Sequence, residues 1–184
     1  MNKSALLLID IQNDYFPSFS GSKMPLPAMD KAIVNANKLL MAARDSNTPI
    51  IHVKHVMTSD TAPFFRPRTL GAELHESVRP ITGEAIIEKT KPNSFLNTGL
   101  EDYIRNRKIE HLTICGAMSQ MCIDATVRAA VDLGFKVTVA CDACAAANIE
   151  HNGISVPFDM VHASIMAPLS SIYADVRPTS DCLP

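Results

Sequence analysis

The chain has 184 residues, of which 47% are hydrophobic and 20% charged, with a formal net charge of −2. That length suits one domain spanning 1–184, and that apolar fraction fills a sizeable core, which excludes a disordered chain. No basic block points to nucleic acid, and no apolar run approaches the ~18 residues of a membrane-spanning helix.

The N-terminal run Ala5–Ile9 reads as a strand, too short for a signal h-region and without a small-residue cleavage site. A cytoplasmic protein is expected, and its five cysteines read as reduced rather than bridged. Ser18–Pro27 fits no regular element. Met29, Ile33, Ala36, Leu40 and Ala43 then recur at helical spacing on one face. Pro49–Val56 is the second strand, and the long Pro-rich stretch Thr58–Pro80 reads as a functional loop. Ala85–Glu88 is the third strand. Thr98-Gly-Leu-Glu101 has the form of a capping box opening a helix with Leu100 and Ile104 inward.

Leu112–Gly116 is the fourth strand. A helix with Ile123, Val127, Ala130 and Leu133 on one side follows it and closes at Gly134. Lys136–Ala140 is the fifth strand. The last helix carries Phe158, Val161, His162, Ile165 and Leu169, with Ser155 as its expected N-cap and Pro157 in its first turn. Ile172–Val176 is the sixth strand. Most of the strands are continuously apolar and helical patterns lie between several of them, as in a parallel sheet buried on both faces. The expected fold is α/β, a Rossmann-like three-layer α/β/α sandwich around a six-stranded parallel sheet.

In such sheets chemistry gathers beyond the carboxyl ends of the strands. Three polar residues fall there: Asp10 after the first strand, Lys89 after the third and Cys122 after the fourth. Cys122 also lies at the first turn of a helix, where free N–H groups and the helix dipole favour thiolate over thiol. The set has the parts of an amide hydrolase. Cys122 attacks a carbonyl carbon, and Asp10 takes the thiol proton and returns it to the leaving amine. Lys89 holds both charges, and N–H groups at the helix start stabilise the oxyanion.

Leu8-Ile-Asp-Ile-Gln-Asn-Asp14, the segment Lys89–Phe95 with Thr98 and Leu100, and Gly116–Ala130 together resemble the isochorismatase-like superfamily of cysteine hydrolases. The resemblance extends over essentially the whole chain. It implies an Asp-Lys-Cys triad at Asp10, Lys89 and Cys122. It also implies a cis peptide at Ala117–Met118 that aims the Met118 N–H, with that of Cys122, into an oxyanion hole. A homodimer or homotetramer is implied as well. Family members that cleave isochorismate itself typically lack the cysteine, so the resemblance points away from that substrate.

Nicotinamidases of the family carry a metal-binding Asp-x-His after the second strand. Here Ile51-His52-Val53-Lys54-His55 supplies no aspartate at that spacing, so no metal and no cofactor are expected. Arg68 replaces a glycine often found in the substrate-side loop of small-amide members. The expected function is cleavage of a C–N bond in a small carboxamide or N-carbamoyl compound through a Cys thioester. A nicotinamidase-type amidase and a non-catalytic binding relative are the alternatives.

Tyr15, Phe19, Phe64, Phe65, Met118 and Ser119 are the candidate pocket walls. Lys91 and Asp14 are the rivals to Lys89 and Asp10. Asp14 reads as a turn or cap residue, and His52 and His55 read as packed or capping histidines. Cys141 and Cys144 have redox-like spacing but no supporting context. Cys115 reads as core, and Cys182 lies in the tail.

Overall fold

The computed structural model describes residues 3–183. The main elements are β1 (Ser4–Ile9), α1 (Met29–Asp45), β2 (Ile50–His55), β3 (Ala85–Lys89), α2 (Leu100–Asn106), β4 (His111–Ala117) and α3 (Asp124–Asp132). They continue with β5 (Lys136–Ala145), β6 (Ile149–His151), β7 (Ile154–Val156), α4 (Phe158–Pro168) and β8 (Asp175–Arg177). Six strands form one parallel sheet in the order β3-β2-β1-β4-β5-β8. From β1 the chain steps one way to β2 and β3, and from β4 the other way to β5 and β8. Right-handed crossovers therefore put α1 and α3 on opposite faces, which gives the three-layer sandwich. The strand order reverses between β1 and β4, and in open α/β sheets ligands bind beyond the carboxyl ends of the strands at such a point.

The apolar runs form strands because both faces are covered. Leu6, Leu7, Leu8 and Ile9 of β1 are all buried, as are Ile50, Ile51 and Val53 of β2. α1 buries Met29, Ala32, Ile33, Ala36, Leu39, Leu40 and Ala43, the stripe its spacing requires. No helix among the described residues is long and apolar enough to cross a membrane.

Several local expectations are corrected. The sixth strand starts at Asp175, not Ile172, because Ile172 and Tyr173 belong to a π-type turn, Leu169–Tyr173. Pro168 ends α4 just before that turn, and its missing N–H interrupts the helical ladder. β5 runs on to Ala145, past a register shift opposite Ile114 and Gly116. Ser155 does not cap α4 but lies in β7, part of the antiparallel hairpin β6–β7, which the apolar pattern does not announce. Pro157 takes the N-cap position, and Asn148 Oδ1 accepts from the Phe158 N–H at 2.8 Å. The capping box at Thr98 is half made. Thr98 Oγ1 accepts from the Leu100 N–H at 3.3 Å, whereas Glu101 pairs with Arg105 at 2.7 Å.

Candidate active site

β1 ends one residue before Asp10, which turns the chain with φ 53°, in the left-handed region that aspartate tolerates better than most residues. The segment that follows ties the end of β2 and the neighbouring loops together. Gln12 is fully buried, and its Nε2 donates to the His55 carbonyl at 2.8 Å and the Ala72 carbonyl at 2.7 Å. Its Oε1 accepts from the His55 N–H at 2.8 Å. One side chain thus clamps both backbone groups at the last residue of β2. Asp14 ties the long loop to the irregular stretch after β1. Its Oδ2 accepts from the Phe65 N–H at 2.7 Å and its Oδ1 from the Lys23 N–H at 3.2 Å.

Lys89 ends β3, two strands away from β1, and its side chain crosses the end of β2 to reach Asp10. Lys89 Nζ lies 2.7 Å from Asp10 Oδ2, and both side chains are fully buried. The same ammonium reaches Cys122 Sγ, His55 Nδ1 and the Lys91 carbonyl, each at 3.1 Å. Asp10, Lys89 and Cys122 therefore converge as the resemblance implies, and His55 joins them. The Lys91 carbonyl accepts from Lys89, while the Lys91 side chain is exposed.

Cys122 does not sit in an α-helix. Ser119–Ile123 forms a π-type turn in which the Ile123 N–H donates to the Met118 carbonyl at 3.1 Å, and α3 begins only at Asp124. Such widened turns recur at functional sites. The Ala117–Met118 peptide at its entrance is cis.

The electrostatics also depart from the expected resting thiolate. Burial, and after it the Asp10 charge, push the Cys122 thiol well above its ordinary range, against the opposing pull of Lys89. Burial likewise raises Asp10, with Lys89 opposing. The physical reason is desolvation, which exceeds any stabilisation from the turn's N–H groups. The resting group is a thiol beside a carboxylate made more basic, a pair ready to exchange a proton.

The pocket candidates separate. Tyr15 and Phe65 pack with tilted rings 4.5 Å apart between centroids, Phe64 lies 5.2 Å from Phe65, and Phe65 lies 6.0 Å from His55. This aromatic wall therefore stands beside the charged centre. Burial above all, with the Asp10 charge adding to it, raises the Tyr15 hydroxyl well above its usual range, so it stays neutral. Phe19 instead lines a cleft of about 750 Å³ with Asn13, Lys54, Glu73 and His75, and none of the three strand-end residues borders it. Met118 is nearly buried at the turn's entrance. The fully buried Ser119 turns its hydroxyl to His162 Nδ1 at 2.8 Å. Arg68 has φ 60°, which explains a glycine preference there, and its side chain is exposed and pairs with Asp60 at 2.9 Å.

His52 is a packed histidine, held at 2.8 Å by Glu84. All five cysteines are free, and buried Cys144 donates to the Ala140 carbonyl at 3.4 Å within the irregular part of β5. Asp10, His55 and Cys122 each offer a ligand atom within 4.8 Å of the others, a set that could hold a metal ion. The Lys89 ammonium already stands within 3.1 Å of all three residues and supplies the positive charge there. Sequence reasoning missed His55 and Gln12. The available signal was position, since His55 is the final residue of the strand lying between those of Lys89 and Asp10.

The parallel sheet thus gathers a cysteine, a carboxylate and a lysine at one end, and known proteins of one hydrolase family resemble the chain in sequence and fold. The Isochorismatase domain model matches residues 4–156. The Bacillus subtilis (strain 168) isochorismatase family protein YddQ is 47% identical over 176 residues, 96% of each chain. A crystal structure from Oleispira antarctica, of a protein assigned to the isochorismatase hydrolases, superposes with a TM-score of 0.95 at 46% identity, covering 98% of this chain and 96% of that one. Streptothricin hydrolase from Streptomyces noursei is 32% identical over 79% of this chain and 50% of its own length. At 26% identity stand an N-carbamoylsarcosine amidase from Arthrobacter sp, over 73% of this chain and 56% of its own, and the nicotinamidase of Escherichia coli (strain K12), over 89% and 90%. The chain belongs to the isochorismatase family and is a hydrolase of that family.

Proposed function

We propose that the protein hydrolyses a C–N bond of a small carboxamide or N-carbamoyl compound through a thioester on Cys122. The observation that carries this reading is the convergence of Asp10, Lys89 and Cys122, with Lys89 Nζ at 2.7 Å from the carboxylate and 3.1 Å from the sulfur. Amidase names among the relatives support the same chemistry.

In this reading Asp10 removes the Cys122 thiol proton as sulfur attacks the carbonyl carbon, and Lys89 keeps the growing negative charge paired. The backbone N–H groups of Met118 and Cys122 receive the tetrahedral oxyanion. Asp10 then delivers its proton to the departing nitrogen. Water, deprotonated by Asp10, cleaves the thioester and restores the thiol. The raised affinities of both groups for protons suit this cycle, because a basic carboxylate accepts the proton and a poorly acidic thiol takes it back at the end. Tyr15, Phe64 and Phe65 favour a small, partly apolar substrate.

A panel of small amides and ureido acids, assayed for ammonia or amine release, tests the proposal. Cys122→Ala and Asp10→Asn are expected to lower kcat by at least ~10³-fold on any substrate turned over. Intact-protein mass spectrometry is expected to show the acyl group on Cys122. Wild-type turnover by Cys122→Ala overturns the mechanism.

A further inference from the structure

The Lys89 side chain starts on β3 and must reach Asp10 beyond β1, across the end of β2. Adjacent strands stand about 4.8 Å apart, so the ammonium spans close to two strand widths. At the crossing stands His55, the register partner of Lys89 in the β2–β3 pair. Its Nδ1 lies 3.1 Å from Lys89 Nζ and 3.9 Å from Asp10 Oδ2. An ammonium has only donors, so His55 Nδ1 must act as acceptor, and the ring proton must be on Nε2. His55 is itself held by the Gln12 clamp on its backbone N–H and C=O. The chain of support runs from buried Gln12 to the His55 backbone, and from the His55 ring to Lys89.

We propose that His55 is the positioning residue for Lys89: its neutral ring fixes the ammonium between Asp10 and Cys122 and keeps it from collapsing onto the carboxylate alone. This rests on the amide-hydrolase reading and adds to it a fourth side chain. The charged and titratable groups around the ring are Lys89, Lys91, Asp10 and Cys122, with Tyr15 behind Phe65. A second cation at this point would repel Lys89. Burial, and then the Lys89 charge, accordingly lower His55 to about 4, so the ring is neutral at physiological pH.

Three substitutions separate the ring's two nitrogens. His55→Asn places an acceptor oxygen the same number of bonds from Cβ as Nδ1 and lacks the Nε2 donor. His55→Gln extends its amide toward the Nε2 position and leaves the Nδ1 position empty. His55→Leu supplies neither. The readout is the rate of Cys122 alkylation by iodoacetamide against pH, followed by mass spectrometry of the Cys122 peptide. In the Leu and Gln variants the alkylation rate is expected to fall by at least ~10-fold at every pH from 7 to 10, because the cation no longer faces the sulfur and less thiolate forms. The Asn variant is expected to keep the wild-type profile. On any amide that the panel identifies, kcat is expected to fall at least ~30-fold in Leu and Gln and to stay within ~3-fold in Asn, with KM little changed.

An alkylation rate in His55→Gln undiminished from wild type, or an Asn variant no better than Gln, overturns the proposal. If His55→Leu does not fold, the comparison of Asn with Gln still decides. Failure of the amide panel alone would count against the hydrolase reading, since the alkylation profile reports Lys89 placement without any substrate.

Discussion

At Gly116 the backbone has φ 125°, and a methyl group there would overlap the carbonyl oxygen of Ile9. The absent side chain lets β4 press against the end of β1, which brings the residue after Ile9, Asp10, close to the turn that carries Cys122. Gly134, at the end of α3, also has a positive φ, but a methyl group there would meet nothing within 4 Å. The two glycines separate backbone strain from steric overlap. Gly134→Ala is expected to cost only the left-handed penalty, about 1–2 kcal/mol. Gly116→Ala is expected to cost at least ~3 kcal/mol or to abolish soluble expression. Urea unfolding of the two variants measures the difference. Equal losses would show that the β1–β4 approach is not close.

At the scale of elements, the segment after β1 works as a ruler with a polar contact at alternate residues. Asp10 faces the cysteine, Gln12 clamps the end of β2, and Asp14 holds the long loop through the Phe65 N–H. Gly71 packs directly on the Asp14 carboxylate, where any side chain would collide. The Thr58–Pro80 stretch has little regular structure of its own beyond short turns, so these contacts replace an internal ladder. Asp14→Ala strips a charge-assisted acceptor from two backbone donors, with an expected loss of about 2–4 kcal/mol. It is also expected to speed trypsin cleavage after the exposed Arg68 under native conditions. Unchanged cleavage would show that Asp14 does not hold the loop.

The elements differ in how far the sequence alone reveals them. The first five strands and the helix after β1 follow from apolar pattern because their burial on the sheet repeats along the chain. The β6–β7 hairpin and the π-type turns do not follow, since they answer to neighbours. β6 is exposed along its length and has no buried face to give an alternating pattern.

Over the whole molecule, histidine burial sets a pH response. The protein has six histidines, and burial lowers five of them: His52, His55, His75, His111 and His162. In the unfolded chain each takes a proton near its ordinary value, about 6.5. In the folded protein each takes it only at lower pH, and His55 at about 4. Between those limits the unfolded state binds more protons, so folding stability falls as pH drops below 6.5. Glu84 adds a loss in a lower window. Burial alone would raise it, but Arg44, the Ile81 N–H and His52 hold it at about 2, so its contribution fades as pH falls from 4.5 toward 2. Asp10, raised by burial, works in the opposite direction. Thermal melts from pH 8 to pH 5 are expected to show a steady drop in Tm once pH passes below 6.5. A flat profile over that range would mean that the histidines are accessible to protons in the folded state.

The sequence by itself determined the α/β class, most of the strands and the three residues at strand ends. Burial and strand position are written in local apolar runs, and the triad follows from a resemblance carried by those same segments. Tertiary structure alone decided the remainder: that Cys122 rests as a thiol, that Lys89 has His55 as a third partner, that Ser119 turns to His162, and that Gln12 is a clamp. Each of these depends on the distance between residues far apart in the chain and on the water excluded between them. Neither quantity is encoded in any short stretch of residues.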